Sequence, residues 1–256
     1  MVRSMENVEG TLRPMIRTEE RDRVAILWID RHEQRNALDT EHCELLRDAL
    51  GDVQAAGARA VVITGEGSSF CAGADFGEVY GEGFRKALYE MLRRFTASPV
   101  PIIAAVNGPA IGAGTQLALA ADLRTVAPSA TFAIPTATLG LAVDPWTVRR
   151  LALVAGGGPA RRILLACERL SAEEALTCGL ADAAGDLDTA LERAARIAGL
   201  APLTLAYSKQ VLNRLQEPEI SDPGLDSLFD EVWRSADVAE GQAARKERRP
   251  PRFEGR

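Results

Sequence analysis

Residues 107–119 read NGPAIGAGTQLAL, and the rest of the chain makes sense once this stretch is understood. It follows an apolar run from Ile102 to Val106, introduced by Pro99 and Pro101, that reads as a buried strand. Gly108, Gly112, Ala113 and Gly114 then make a turn of small residues, and an Ala/Leu-rich segment after it reads as a buried helix. A strand, a small-residue turn and a helix start leave backbone N–H groups free at the positive end of the helix dipole. Small side chains let a ligand approach the backbone itself. A phosphate, a carboxylate or an oxyanion formed during a reaction would suit such a site, and the local pattern does not choose among them.

Working outward, residues 16–30 read as two short strands around a charged turn at 19–23, with Val24 to Ile29 buried on both faces. The loop RHEQRNALDT (31–40) ends in Asp39 or Thr40, a plausible cap for a helix to about Ala56. RAVVIT (59–64) is another buried strand, followed by a second small-residue loop, GEGSSFCAGADF (65–76). A helix over 84–97 carries Phe84, Leu88, Met91, Leu92 and Phe95 on one face, which suits the core or the wall of an acyl pocket. Short strands are expected at 122–126 and 131–134. Helices follow from Trp146 to Leu215, including a capping box at Ser171 and Glu174. After a loop at 217–223, one last helix (225–239) precedes a basic tail at 245–256. The pattern is an α/β core with an α-helical C-terminal part. The division expected is an irregular extension at 1–15, a core at 16–200 and a helical region with its tail at 201–256.

Composition excludes several classes. The chain is 46% hydrophobic and 26% charged, ordinary for a soluble domain. Its apolar runs are too short to span a membrane, and the first fifteen residues lack a signal-peptide core, so a cytoplasmic protein is expected. A net charge of −6 argues against a general nucleic-acid binder. Four cysteines form no CxxC pair and there are two histidines, so no metal site is expected. His32 and His42 read as surface residues. Gly65-x-Gly67 and Gly112-x-Gly114 mimic a dinucleotide fingerprint, but Phe70 and Leu117 occupy the third glycine position, and no Lys follows Gly114 as a phosphate loop requires. No cofactor is expected.

Two small-residue loops after buried strands, CAGAD (71–75) and GPAIGAG (108–114), have the form of a two-donor oxyanion hole. On QRNAL (34–38), VVITGEGSSFCAGAD (61–75), PIIAAVNGPAIGAGTQLALAADLR (101–124), LGLAVD (139–144) and the tail from Glu240, the chain resembles the crotonase superfamily of enoyl-CoA hydratases and isomerases. The resemblance covers nearly everything from Ile16 onward. It implies a ClpP/crotonase-like superhelix of ββα units with C-terminal helices that drive trimer formation, hence a homotrimer or homohexamer. It implies coenzyme A thioesters as ligands, with the carbonyl oxygen gripped by the N–H groups of Ala74 and Ala113. By the same resemblance Gln34, Arg35, Ala37, Ala72, Asp75, Phe76 and Gly112 line the CoA site, and Arg248 approaches the adenosine phosphate of a neighbouring subunit. Arg245 replaces the family's usual Phe beside the adenine.

The catalytic centre departs from the hydratase pattern. Hydration needs two carboxylates, and at the matching positions this chain has Gln116 and Thr136. Neither side chain takes up a proton near neutrality. One acidic residue, Asp144, matches the working aspartate of dienoyl-CoA isomerases, yet Asp144-Pro145 also suits a helix N-cap and N1. Cys71 reads as a small buried residue. Three classes therefore stand: a non-hydrating acyl-CoA-binding protein, the role assigned to some mycobacterial-type relatives with similar replacements; an isomerase working through Asp144; and a partner-binding protein that has lost its ligand.

Overall fold

The computed structural model describes residues 15–216 and 223–254. Most of the expected N-terminal extension, and residues 217–222 of the expected loop, lie outside them. The strands are β1 (Ile16–Arg21), β2 (Val24–Ile29), β3 (Ala60–Gly65), β4 (Ile102–Val106), β5 (Pro109–Ile111), β6 (Leu123–Val126), β7 (Thr131–Ala133), β8 (Leu170–Ser171) and β9 (Ala183–Ala184). The helices are α1 (Thr40–Ala55), α2 (Glu82–Thr96), α3 (Ala113–Ala120), α4 (Pro145–Ala155), α5 (Gly157–Leu165), α6 (Ala172–Cys178), α7 (Leu187–Ala198), α8 (Pro202–Gln216), α9 (Pro223–Arg234) and α10 (Ala236–Lys246).

One sheet has the order β1-β2-β3-β4-β6-β9, parallel except for the β1–β2 hairpin. Its central strands are apolar on both sides because both faces are covered. Ala25, Leu27, Ile63 and Ala104 pack toward α1, α2 and α3. Val24, Val62, Ile103 and Ala105 pack on Ala190, Ala194 and Ala198 of α7. A smaller sheet, β5-β7-β8, stands beside the first and receives the glycine turn. This is the crotonase fold expected from the sequence, helical toward the C-terminus.

Local signals explain most boundaries. Asp39 caps α1 through the His42 N–H, and Ser171 with Glu174 makes the full capping box of α6. Four readings need correction. β5 lies inside the expected turn, since three residues are enough to bond to Ala133 and its neighbours on β7. β8 and β9 are two-residue strands inside a stretch read as helical, too short to leave a period in the sequence. The single last helix is two, broken at Ser235. His42 is fully buried, its Nδ1 2.7 Å from Asp39 Oδ1, because the cap carboxylate offers the ring a polar partner inside.

Buried cations fasten the helices to the sheet. Arg124 donates to the carbonyls of Ala121 (3.0 Å) and Leu180 (2.5 Å) and pairs with Asp182. Lys209 of α8 pairs with Asp122 at 2.7 Å and donates to the carbonyls of Phe95 and Val100. Burial lowers the Lys209 pKa from its ordinary value, and the Asp122 carboxylate opposes that shift.

All eight residues of α3 are buried, and its first turn packs directly on the loop after β3. A Cβ on Gly114 would stand 2.1 Å from the Cys71 carbonyl oxygen, so only glycine permits that contact. Gly114→Ala is expected to cost about 1–3 kcal/mol of stability, measured by urea denaturation with unchanged m-value. Wild-type stability would show that the two loops separate without penalty.

Candidate functional site

The site is assembled from two loops and one helix start. The loop after β3 runs through Cys71, Ala72, Gly73, Ala74 and Asp75. It is pinned by backbone bonds on one edge: Leu38 N–H donates to Gly73 O (2.8 Å), and Asp75 N–H donates to Leu38 O (2.6 Å). In that parallel bridge the intervening Ala74 N–H points the other way. The second loop is held by Cys71 N–H to Pro109 O (3.1 Å) and Ile111 N–H to Cys71 O (2.9 Å). Gly112, at φ +54°, then turns the chain into α3 and leaves Ala113 as its first residue. Neither the Ala74 nor the Ala113 N–H has a protein acceptor among the described residues.

Both alanines border one cavity of about 210 Å³. Its apolar wall comes from Phe84 and Leu88 of α2 and from Leu139, Leu141 and Val143. The apolar face of α2 is thus shared: Met91, Leu92 and Phe95 belong to the core, while the first turns line the cavity. At the mouth, the Arg245 guanidinium lies 3.3 Å from the centre of the exposed Phe76 ring, and Arg85 lies 4.2 Å from that of Trp233. Arg245 of α10 therefore faces the cavity of its own chain.

Of the residues singled out by sequence, Ala72, Ala74, Phe76, Gly112, Ala113, Gln116 and Thr136 border the cavity. Gln34, Arg35, Ala37, Asp75 and Arg248 do not. Gln34, Arg35 and Arg248 are exposed, and Asp75 pairs with Arg31 at 2.9 Å. Cys71 is fully buried and its thiol is pushed up to about 12 by that burial, as suits a packing residue.

Asp144 has the N-cap backbone of α4, with Pro145 at N1, but its carboxylate makes no capping hydrogen bond. It turns inward instead. The Thr147 hydroxyl donates to Oδ1 at 2.5 Å, and Gln116 Nε2 approaches the same oxygen at 3.3 Å. Gln116 Nε2 also donates to Thr147 Oγ1 at 2.8 Å. Burial raises the Asp144 pKa above the ordinary carboxylate value; the Thr147 hydroxyl and the nearby first-turn N–H groups oppose that shift.

Sequence reasoning passed over the residues that hold the loops. Asn36, buried and left-handed at φ +58°, donates to Glu66 O (2.9 Å) and Ser69 O (2.7 Å). Asn107 donates to Gly65 O and Gly67 O, and Thr115 to Ala110 O and Ala133 O. An Asn inside a loop motif, tolerant of positive φ, was the available signal.

A family model described as Enoyl-CoA hydratase/isomerase matches residues 19–256. The chain belongs to that family. It is 46% identical to the probable enoyl-CoA hydratase echA6 of Mycobacterium tuberculosis over 94% of its own length and all of the relative's. The short-chain-enoyl-CoA hydratase of Clostridium acetobutylicum is 30% identical, over 90% of this chain and 94% of that one. Among solved structures, an enoyl-CoA hydratase/isomerase from Pseudoalteromonas atlantica superposes with a TM-score of 0.84 at 31% identity, covering 94% of this chain and all of that one. Methylmalonyl-CoA decarboxylase superposes with a TM-score of 0.87 over 94% of this chain and 98% of that one; at 24% identity the likeness is one of fold. Against this enoyl-CoA hydratase/isomerase pattern, Gln116 and Thr136 stand where the resemblance drawn from the sequence places the hydratase glutamates.

The raised Asp144 pKa carries a sign. A native carboxyl that binds its proton more tightly than the unfolded one loses stability as pH rises from the ordinary value of 3.8 through the raised one. Asp144→Asn removes that loss. The stability of Asp144→Asn relative to wild type is therefore expected to rise across this acidic range and then level off, as read by denaturant midpoints at successive pH values. A difference independent of pH would place the carboxyl in a water-like environment.

Proposed function

We propose that this protein binds acyl-CoA thioesters, with the carbonyl oxygen held by the Ala74 and Ala113 N–H groups, and does not hydrate enoyl-CoA. The observation that carries this reading is the pair of acceptor-free N–H groups, from two separate loops, bordering one apolar cavity. An oxyanion or thioester carbonyl is what such a pair suits, and the α3 dipole adds to it. An adjoining apolar wall suits an acyl chain. Methylmalonyl-CoA decarboxylase, which shares the fold, is solved with 2-nitronate-propionyl-CoA and with 2S-carboxypropyl CoA, which supports a CoA ligand here. At the cavity, Gln116 and Thr136 supply an amide and a hydroxyl, and neither activates water or returns a proton near neutrality.

Binding is tested by thermal shift with acyl-CoAs of increasing chain length against free CoA. At 100 times its dissociation constant a ligand adds about 2.7 kcal/mol of stability. Acyl-CoAs are expected to stabilise the protein more than CoA does, and crotonyl-CoA hydration is expected to fall far below the roughly 1–10³ per second of ordinary enzymes. Ala113→Pro removes one N–H at a helix position that tolerates proline, so thioester affinity should drop while the fold persists. No shift with any acyl-CoA, or hydration at an ordinary rate, would overturn the reading.

A second reading, an enoyl- or dienoyl-CoA isomerase, is favoured by one observation: Asp144 lies one hydrogen bond behind Gln116 with its proton affinity raised. A carboxyl whose proton affinity is raised by burial could move a proton between acyl carbons while the N–H pair stabilises the dienolate. Double-bond migration on 3-enoyl-CoA that Asp144→Asn abolishes, with binding retained, would establish it.

Assembly is part of the proposal. Among the described residues, α8 turns Lys209 inward and leaves Leu203, Tyr207 and Val211 exposed along one stripe, with Leu200 and Leu212 beside it. An unpartnered apolar stripe of this kind suits a subunit interface, and a homotrimer or homohexamer is expected. Light scattering should report such an assembly for wild type and a smaller species for Leu203→Glu with Tyr207→Glu.

A further inference from the structure

Among the described residues, the cavity is bordered by two charged side chains, Arg85 and Arg245, and by no aspartate or glutamate. The two differ in their surroundings. Arg245 lies over the Phe76 ring, which is 63% exposed, so it stands at the solvent edge. Arg85 belongs to α2, next to Phe84 and three residues before Leu88, two buried residues of the apolar wall. Its guanidinium carbon stands 4.2 Å from the centre of the Trp233 ring and 5.8 Å from that of Phe229, both on α9.

That guanidinium makes no ion pair and no hydrogen bond among the described residues. Stacking on a ring engages the face of the planar group and leaves its in-plane N–H fork unused. The Trp233 indole N–H is closed off from solvent and also lacks an acceptor. Two donor groups therefore meet in one stack without an acceptor, and a buried polar group left so calls for an explanation. A hydrocarbon chain supplies none: on entering, it strips water from the half-buried cation and offers nothing in return. A carboxylate does, because its two oxygens match both the fork and the charge.

We infer that Arg85 forms a carboxylate subsite within the α2 wall, and that the preferred ligands are CoA monothioesters of dicarboxylic acids. This rests on the acyl-CoA reading above and narrows it to one class of acyl group. The phosphates of CoA are the other anions that such a ligand brings. They are strongly hydrated, which suits the open ring beside Arg245 better than a wall made of Phe84 and Leu88.

Titration calorimetry on the full chain compares adipoyl-CoA and suberoyl-CoA, each with its terminal methyl ester, alongside octanoyl-CoA and free CoA. The ester keeps the reach of the chain and removes the charge. At least one free acid should bind about tenfold or more tightly than its ester, as a charge-assisted pair allows. In Arg85→Met, with the fold intact by circular dichroism, that ratio should collapse toward one because the acid weakens. Arg85→Lys should keep part of the ratio, since the charge remains and the fork is lost. Equal affinity of acid and ester at both lengths would overturn the inference and leave the acyl-CoA reading in place. So would an equal loss of affinity for free CoA, octanoyl-CoA and the acids in Arg85→Met, which would assign Arg85 to a CoA phosphate. Absence of binding by every thioester would overturn both.

Discussion

The contact of Gly114 with the Cys71 carbonyl sets the geometry on which the site depends. It joins the start of α3 to the loop after β3 with no side chain between them. Two N–H groups far apart in sequence, at Ala74 and Ala113, thereby border one cavity, each left free for a different reason. Ala113 N–H is a helix-start donor, which has no intrahelical acceptor. Ala74 N–H points away from a parallel bridge whose neighbours Gly73 and Asp75 use their groups on the other edge.

Around that contact the protein uses amides and hydroxyls as fasteners. Asn36 and Asn107 tie the QRNAL loop and the end of β4 to carbonyls of residues 65–69, and Thr115 ties α3 to β5 and β7. Each such bond is worth about 1 kcal/mol net. The Asn36 and Asn107 bonds fix loops and the Thr115 bonds fix the start of α3, which together hold the Ala74 and Ala113 N–H groups in place.

The polar group behind the cavity differs from a pair of working carboxylates. Gln116, Thr147 and Asp144 form a closed arrangement in which each hydrogen has an acceptor. A glutamate at 116 would face Asp144 as a second negative charge in a partly buried place. Glutamine removes that repulsion and donates to Asp144 and Thr147. The walls supplied by α2 and residues 139–143 are mostly apolar, so this cluster is one of the few polar features near the cavity.

Much of the fold was legible in the sequence. Doubly buried strands such as β2, β3 and β4 are unbroken apolar runs, and caps at Asp39 and Ser171 mark their helices by residue type, because these signals depend on neighbours within a few positions. The two small-residue loops were equally plain, as was the presence of Gln and Thr at 116 and 136. Less local features were not. His42 read as a surface residue and is buried, because which face of α1 is covered depends on what the helix packs against; Asp39, three residues away, supplies its polar partner. Asp144 read either as a helix cap or as an acid/base; it holds the N-cap position of α4, and its carboxylate turns to Thr147, since its choice among partners depends on where Gln116 of α3 arrives. Residue types and short-range spacing thus determined the elements, the loops and the chemistry available. Which way an amide faces, which N–H groups stay free and which residues share a cavity were decided by tertiary structure alone, because each depends on groups distant in sequence competing for the same hydrogen bond.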